Sequence, residues 1–116
     1  MDVYHIWCDL TPGTSDVEFC ADVARFLGHL AERGELAAYR ITRRKLGLAP
    51  RDLGEFHVMI ETEDMAQLER LFRSVGTRAG DVEGLHFAVN SKAVNATFAL
   101  YRDFPDRLRR TGEERF

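Results

Sequence analysis

The chain contains four histidines, His5, His29, His57 and His86. Two of them fall in segments whose residues alternate as strands do. In residues 2–10, Val3, His5, Trp7 and Asp9 point one way, and Tyr4, Ile6, Cys8 and Leu10 the other. In residues 55–62, His57, Met59 and Glu61 lie opposite an apolar set of Phe56, Val58 and Ile60. A histidine titrates near neutral pH and suits general-base work. If the two segments pair in parallel from similar levels, His5 lies near His57, Trp7 near Met59 and Asp9 near Glu61. Neighbouring strands stand about 4.8 Å apart, so two imidazoles could share a proton or a ligand. The alternative is a hydrogen-bonded structural pair at an interface.

Other side chains extend this set. Asp9 and Glu61 form either a carboxylate pair with one raised pKa or two solvated groups at a sheet rim. Trp7 and Tyr101 either stack on an aromatic substrate or fill an interface. Arg40 and Arg44 either hold an anionic group or guard an edge strand. His5, His57 and His86 are enough imidazoles for a metal, yet no pair has helical ligand spacing, so no metal is expected. His29 falls late in a helix, where a cation is favourably placed near the C-terminus.

The elements that must position these residues follow from local signals. Thr11-Pro12-Gly13 ends the first strand. Ser15 with Glu18 has the form of a capping box. Val17, Cys20, Val23, Ala24, Leu27, Leu30 and Ala31 then give a helical stripe that Gly34 closes. Residues 36–46 read as a second strand and 55–62 as a third. Asp64 with Gln67 opens a second helix with Met65, Leu68, Leu71, Phe72 and Val75 on its stripe. Residues 81–95 fit both periods. A short helical turn followed by a strand at 96–102 is the expectation, with Phe98 and Leu100 facing inward. Residues 105–116 form a polar tail.

The order is β-α-β-β-α-β over residues 1–104, an α+β, ferredoxin-like arrangement. Two helices cover one face of a four-stranded antiparallel sheet. The first and third strands are central and are read as parallel to one another. A solvated opposite face should be rich in Thr, Lys, Glu and Ser. Instead it carries Val3, His5, Trp7, His57, Met59, Ala99 and Tyr101. Such an apolar patch calls for a covering partner, and a two-fold homodimer is the commonest solution.

The bulk composition limits the function classes. The chain has 116 residues with 16 basic and 19 acidic side chains, a net charge of −3, so it lacks the basic excess of a nucleic-acid binder. No apolar run approaches the roughly 18 residues of a membrane span, and the first residues do not resemble a signal peptide. Cys8 and Cys20 both read as reduced core residues, which fits a cytoplasmic protein. There is no P-loop, GxGxxG or HExxH motif.

The β-α-β-β-α-β order, the His and Trp sheet face, and His86 followed by a strand ending in Tyr101-Arg102-Asp103-Phe104 resemble the dimeric α/β-barrel superfamily. That group includes stress-responsive barrel proteins, cofactor-independent monooxygenases and uncharacterised bacterial families, and this chain is most similar to the last. The resemblance implies a homodimer with a cavity between sheet and helices or between two sheets. Two functions follow as expectations. One is an enzyme without a tightly bound organic cofactor, acting on a small aromatic or enolisable molecule. In it His5 or His57 is the base, and Trp7, Arg40, Met59, Glu61, His86 and Tyr101 bind substrate. The other is a non-catalytic ligand-binding or stress-related homodimer whose His and Trp face only seals the interface.

Overall fold

The sense of each strand follows from counting reversals of the chain. A computed structural model describes residues 1–105 and 107. The elements run β1 (Asp2–Leu10), α1 (Asp16–Glu32), β2 (Ala38–Arg43), β3 (Phe56–Thr62), α2 (Met65–Gly76), α3 (Gly80–Asn90) and β4 (Ala93–Arg102). The return through α1 lets β2 run in the same sense as β1, and the β2–β3 loop then reverses the chain. In the sheet order β2-β3-β1-β4, every neighbouring pair is antiparallel. The parallel pairing expected for the first and third strands is therefore corrected. His5 stands opposite Met59, Trp7 opposite His57, and Val3 opposite Glu61.

The fold is α+β and ferredoxin-like, with three helices rather than two. The third, α3, replaces the short turn expected in residues 81–95. It was hard to read because Ala79, at its N-cap, offers no capping side chain, and Gly84 interrupts it. Phe87 also points outward at 63% exposure, which imitates the alternation of a strand. Asp81 and Glu83 in the first turn favour the helix through its dipole. The polar tail expected over 105–116 lies outside the described residues, Pro105 and Arg107 apart.

Both expected caps are present. Ser15 Oγ accepts from the Glu18 amide at 3.2 Å, and an Asp64 carboxylate oxygen accepts from the Gln67 amide at 2.8 Å. The buried stripe of α1 is rotated relative to the expected one, because Phe19 and Phe26 are its largest apolar residues. Phe19, Val23, Phe26, Leu27 and Leu30 are buried, whereas Val17 and Cys20 are exposed. Cys20 is thus not a core residue. These side chains pack on Cys8, Phe56, Val58 and Ile60 from the sheet.

Asp22 lies on the same buried stripe. It pairs with Lys92, at the α3–β4 junction, and with Arg25. The Lys92 ammonium is the main cause holding its carboxyl below the usual range, with Arg25 adding to it. A buried carboxylate needs such partners. At the N-terminus of α1, Arg43 bridges Asp16 at 2.7 Å and Glu55 at 3.0 Å.

Gly54, just before β3, passes close to the β1 backbone. A Cβ there would lie 2.5 Å from the Cys8 carbonyl carbon, so only glycine fits without displacement. The next amide, that of Glu55, donates to Asp9 at 2.9 Å.

Candidate functional site

Alternation along the central strands puts the apolar residues of β1 and β3 under the helices and leaves His5, Trp7, His57 and Met59 on the open face. Trp7 and His57 are direct cross-strand partners, and their rings stack with centroids 4.3 Å apart. His5 stacks against both, 5.5 Å from Trp7 and 5.1 Å from His57. Its Nδ1 lies 2.9 Å from His57 Nε2, within hydrogen-bonding distance. From the edge strand β4, Tyr101 meets His5 edge-on at 5.1 Å.

Such an N···N contact requires one nitrogen to carry a proton and the other to be bare. The pair can therefore hold one extra proton without breaking the bond, but not two. Burial, and then the neighbouring His5, push the His57 pKa below its ordinary value. Both effects favour the neutral form of His57.

The remaining candidates divide by position. Arg40, on β2, is exposed and stands opposite Met59 on the open face, beside the cluster. Glu61 stands opposite Val3 and Ala38, one step further along the same face of β3. Asp9 is at the far end of β1, so the expected Asp9–Glu61 pair does not form. Asp9 instead accepts from the Glu55 amide and from Asn95 Nδ2 at 3.2 Å. Those bonds, the amide first, lower its pKa. Arg44 lies beyond β2, and its guanidinium donates to the Leu53 carbonyl at 2.6 Å rather than facing the cluster.

His86 lies on the other side of the sheet. It sits on α3, 5.4 Å from the Phe26 ring, and lines a cavity of about 290 Å³ between sheet and helices. His5, His57 and His86 therefore do not converge on one point. Among the described residues, no three His, Cys, Asp or Glu side chains are grouped to hold a metal. No described helix is long and apolar enough to cross a membrane.

Sequence reasoning missed two contributors. Asn95 holds Asp9 from a left-handed backbone position, φ 56°, beside a bulge in the β1–β4 pairing. Asparagine tolerates that conformation, and this is the only local signal it carried. The lining of the cavity between sheet and helices was the other omission, because its walls come from residues spread from Tyr4 to Phe98.

Sheet order, strand senses and the helical layer define a ferredoxin-like α+β protein, and solved structures share that architecture. SnoaB, a cofactor-independent oxygenase from Streptomyces nogalater, superposes as a mutant form with a TM-score of 0.64 at 11% identity, covering 93% of this chain and 97% of its own. At3g17210 from Arabidopsis thaliana gives 0.70 at 6% identity, over 93% and 100%. A dimeric ferredoxin-like protein of unknown function from Thermobifida fusca gives 0.54 at 14% identity, over 87% and 90%. At such identities the likeness is one of fold. The chain belongs to the family of unknown function DUF6614, whose model matches residues 1–116. No curated protein matches it.

Proposed function

We propose that the protein is a homodimeric enzyme whose two open sheet faces meet, and that the His5–His57 pair abstracts a proton from a small aromatic or enolisable molecule. The observation that carries this reading is the 2.9 Å contact between His5 Nδ1 and His57 Nε2. Burial, and then His5, favour the neutral form of His57, and His5 is assigned as the base. In the tautomer where His5 Nδ1–H donates to His57 Nε2, His5 Nε2 is the free base. As His5 becomes imidazolium, neutral His57 remains its acceptor and spreads the new charge, much as an orienting group supports a catalytic histidine. Trp7, Met59 and Tyr101 supply apolar walls, Arg40 a cation for an anionic substituent, and Glu61 a further polar contact. A dimeric state and oxygenase activity among proteins of the same fold agree with this reading.

The test is deuterium exchange at carbon. The wild-type protein should accelerate exchange of the acidic C–H protons of 2-indanone in deuterated buffer, followed by proton NMR. His5→Gln should abolish the acceleration. His57→Gln, which removes a positioning residue, should reduce it and shift its pH profile. Equal acceleration by His5→Gln would exclude His5 as the base.

A second reading is favoured by the mutual stacking of Trp7, His57 and His5. There the protein is a non-catalytic ligand-binding or stress-related homodimer, and the ring stack seals its interface. Under that reading the substitutions weaken the dimer, and wild-type protein accelerates no exchange in a panel of aryl ketones and phenols.

A further inference from the structure

The connection between β2 and β3 gathers positive charge in an otherwise acidic chain. From Leu36 to Arg51 the sequence carries Arg40, Arg43, Arg44, Lys45 and Arg51 and no carboxylate. The whole chain is −3, so the remainder is more acidic still. Arg40 lies on the open sheet face, and Arg43 is neutralised by Asp16 and Glu55. Arg44, Lys45 and Arg51 are exposed and have no salt bridge among the described residues. Asp52 is the one carboxylate that follows them before Gly54.

The same loop presents two leucines, Leu46 and Leu48, at 84% and 78% exposure. Single surface leucines are ordinary. These two share one tip, and the tip is built. Leu46 takes a left-handed backbone, φ 56°, which a leucine rarely adopts, and Gly47 follows at φ 68°. The Leu48 amide closes the turn by donating to the Lys45 carbonyl at 3.1 Å. At the base, the Arg44 amide donates to the Glu55 carbonyl at 2.7 Å, and its guanidinium donates to the Leu53 carbonyl at 2.6 Å. That acceptor is neutral, so Arg44 keeps its charge. The loop thus holds an apolar tip with cations on both sides of it.

Such a tip fits a surface that is negative outside and apolar beneath. Nucleic acid offers phosphates but no apolar layer, and a folded protein must supply a matching hollow. A fluid bilayer closes around whatever projects into it. We propose that residues 44–51 dock the protein on an anionic lipid surface, with Leu46 and Leu48 entering the headgroup boundary and Arg44, Lys45 and Arg51 pairing with lipid phosphates. The acidic remainder is repelled by the same surface, which orients the molecule with this loop foremost. The contact is peripheral and needs no spanning helix. It does not depend on the His5–His57 reading, which uses none of these residues.

The test is co-sedimentation of the full chain with vesicles of phosphatidylcholine containing about one third phosphatidylglycerol. Binding is expected there and not to phosphatidylcholine alone, and roughly 0.5 M salt should release it. Lys45→Gln and Arg51→Gln should each weaken it about fivefold. Leu46→Ser with Leu48→Ser should weaken it roughly tenfold. All these changes lie at exposed positions, so an unchanged Tm checks that the fold is intact. Leu48→Trp gives a second readout, a blue shift of emission with anionic vesicles and quenching by brominated lipid. No sedimentation of wild type, equal binding to neutral vesicles, or no loss in the double leucine variant would each overturn the proposal. So would a lower mass of that variant in light scattering, which would assign the tip to a second copy of the chain.

Discussion

His5 Nδ1 lies 2.9 Å from His57 Nε2, although the two residues are not opposite one another in the sheet. His5 faces Met59, and His57 faces Trp7. The contact is a diagonal across one face of an antiparallel pair, where side chains of this length can still meet. It joins two imidazoles, and burial, followed by the neighbouring His5, pushes the His57 pKa below its ordinary value.

Acid should destabilise the protein before its carboxylates titrate. His57 and His86 both have pKa values below the ordinary 6.5. In the unfolded chain they bind protons first, so their contribution to stability is complete above that value and declines as pH falls through it towards their folded pKa values. Asp9 and Asp22, with pKa values lowered from 3.8, act only further down. Thermal unfolding followed from pH 7.5 to 5 should show a falling Tm, and His57→Phe together with His86→Phe should flatten the slope.

Asp22→Ala should remove the tie between α1 and the start of β4. The carboxylate is buried and Lys92 nearly so, at 5% and 22% side-chain exposure. The expected loss is about 2–3 kcal/mol, somewhat under that for a fully buried pair because Lys92 regains water. Urea unfolding of the variant measures it. Adding Lys92→Met should restore part of the loss, since the cation is then no longer stranded.

Gly54→Ala tests the close approach to Cys8. The added Cβ must displace β1 or β3 backbone, for an expected cost of about 1–3 kcal/mol. Amide exchange should rise at Glu55, whose N–H donates to Asp9 across the same gap. A variant as stable as wild type, with unchanged exchange there, would show that the strands yield at no cost.

Met59→Arg places a charge in the middle of the open face. In the proposed dimer it should convert the protein to monomer or aggregate, with Trp7→Ala acting in the same direction. Light scattering at micromolar concentration reads the mass, and a wild-type monomer under those conditions would remove the dimer from the proposed mechanism.

Much of this architecture was legible in the residues. Alternation in residues 2–10 assigned Cys8 inward and His5 outward, and both placements hold. Ser15 with Glu18 and Asp64 with Gln67 marked helix starts because capping is a short-range bond written in adjacent positions. The relative sense of β1 and β3 was misread, although the antiparallel order of the whole sheet already required the correct one. His5 and His57 still met, since same-face residues of neighbouring strands lie within reach in either sense. The long α3 was obscured by an uncapped start and an outward Phe87. The ion pair of Asp22 and Lys92 was invisible because it spans seventy residues. For the same reason the sequence offered no warning that His86 faces a different space from the other two histidines.

The central strand β1 has an arithmetical consequence. Its even-numbered residues Tyr4, Ile6 and Cys8 line the cavity, while its odd-numbered His5 and Trp7 build the ring stack. Point substitutions can therefore retune either face of the sheet and leave the other untouched. Insertion or deletion of one residue in this strand would exchange the two sets, moving imidazole and indole into an oily interior and aliphatic groups out of it. Divergence of this protein should be free to proceed by replacement along β1 and barred from proceeding by changes in its length.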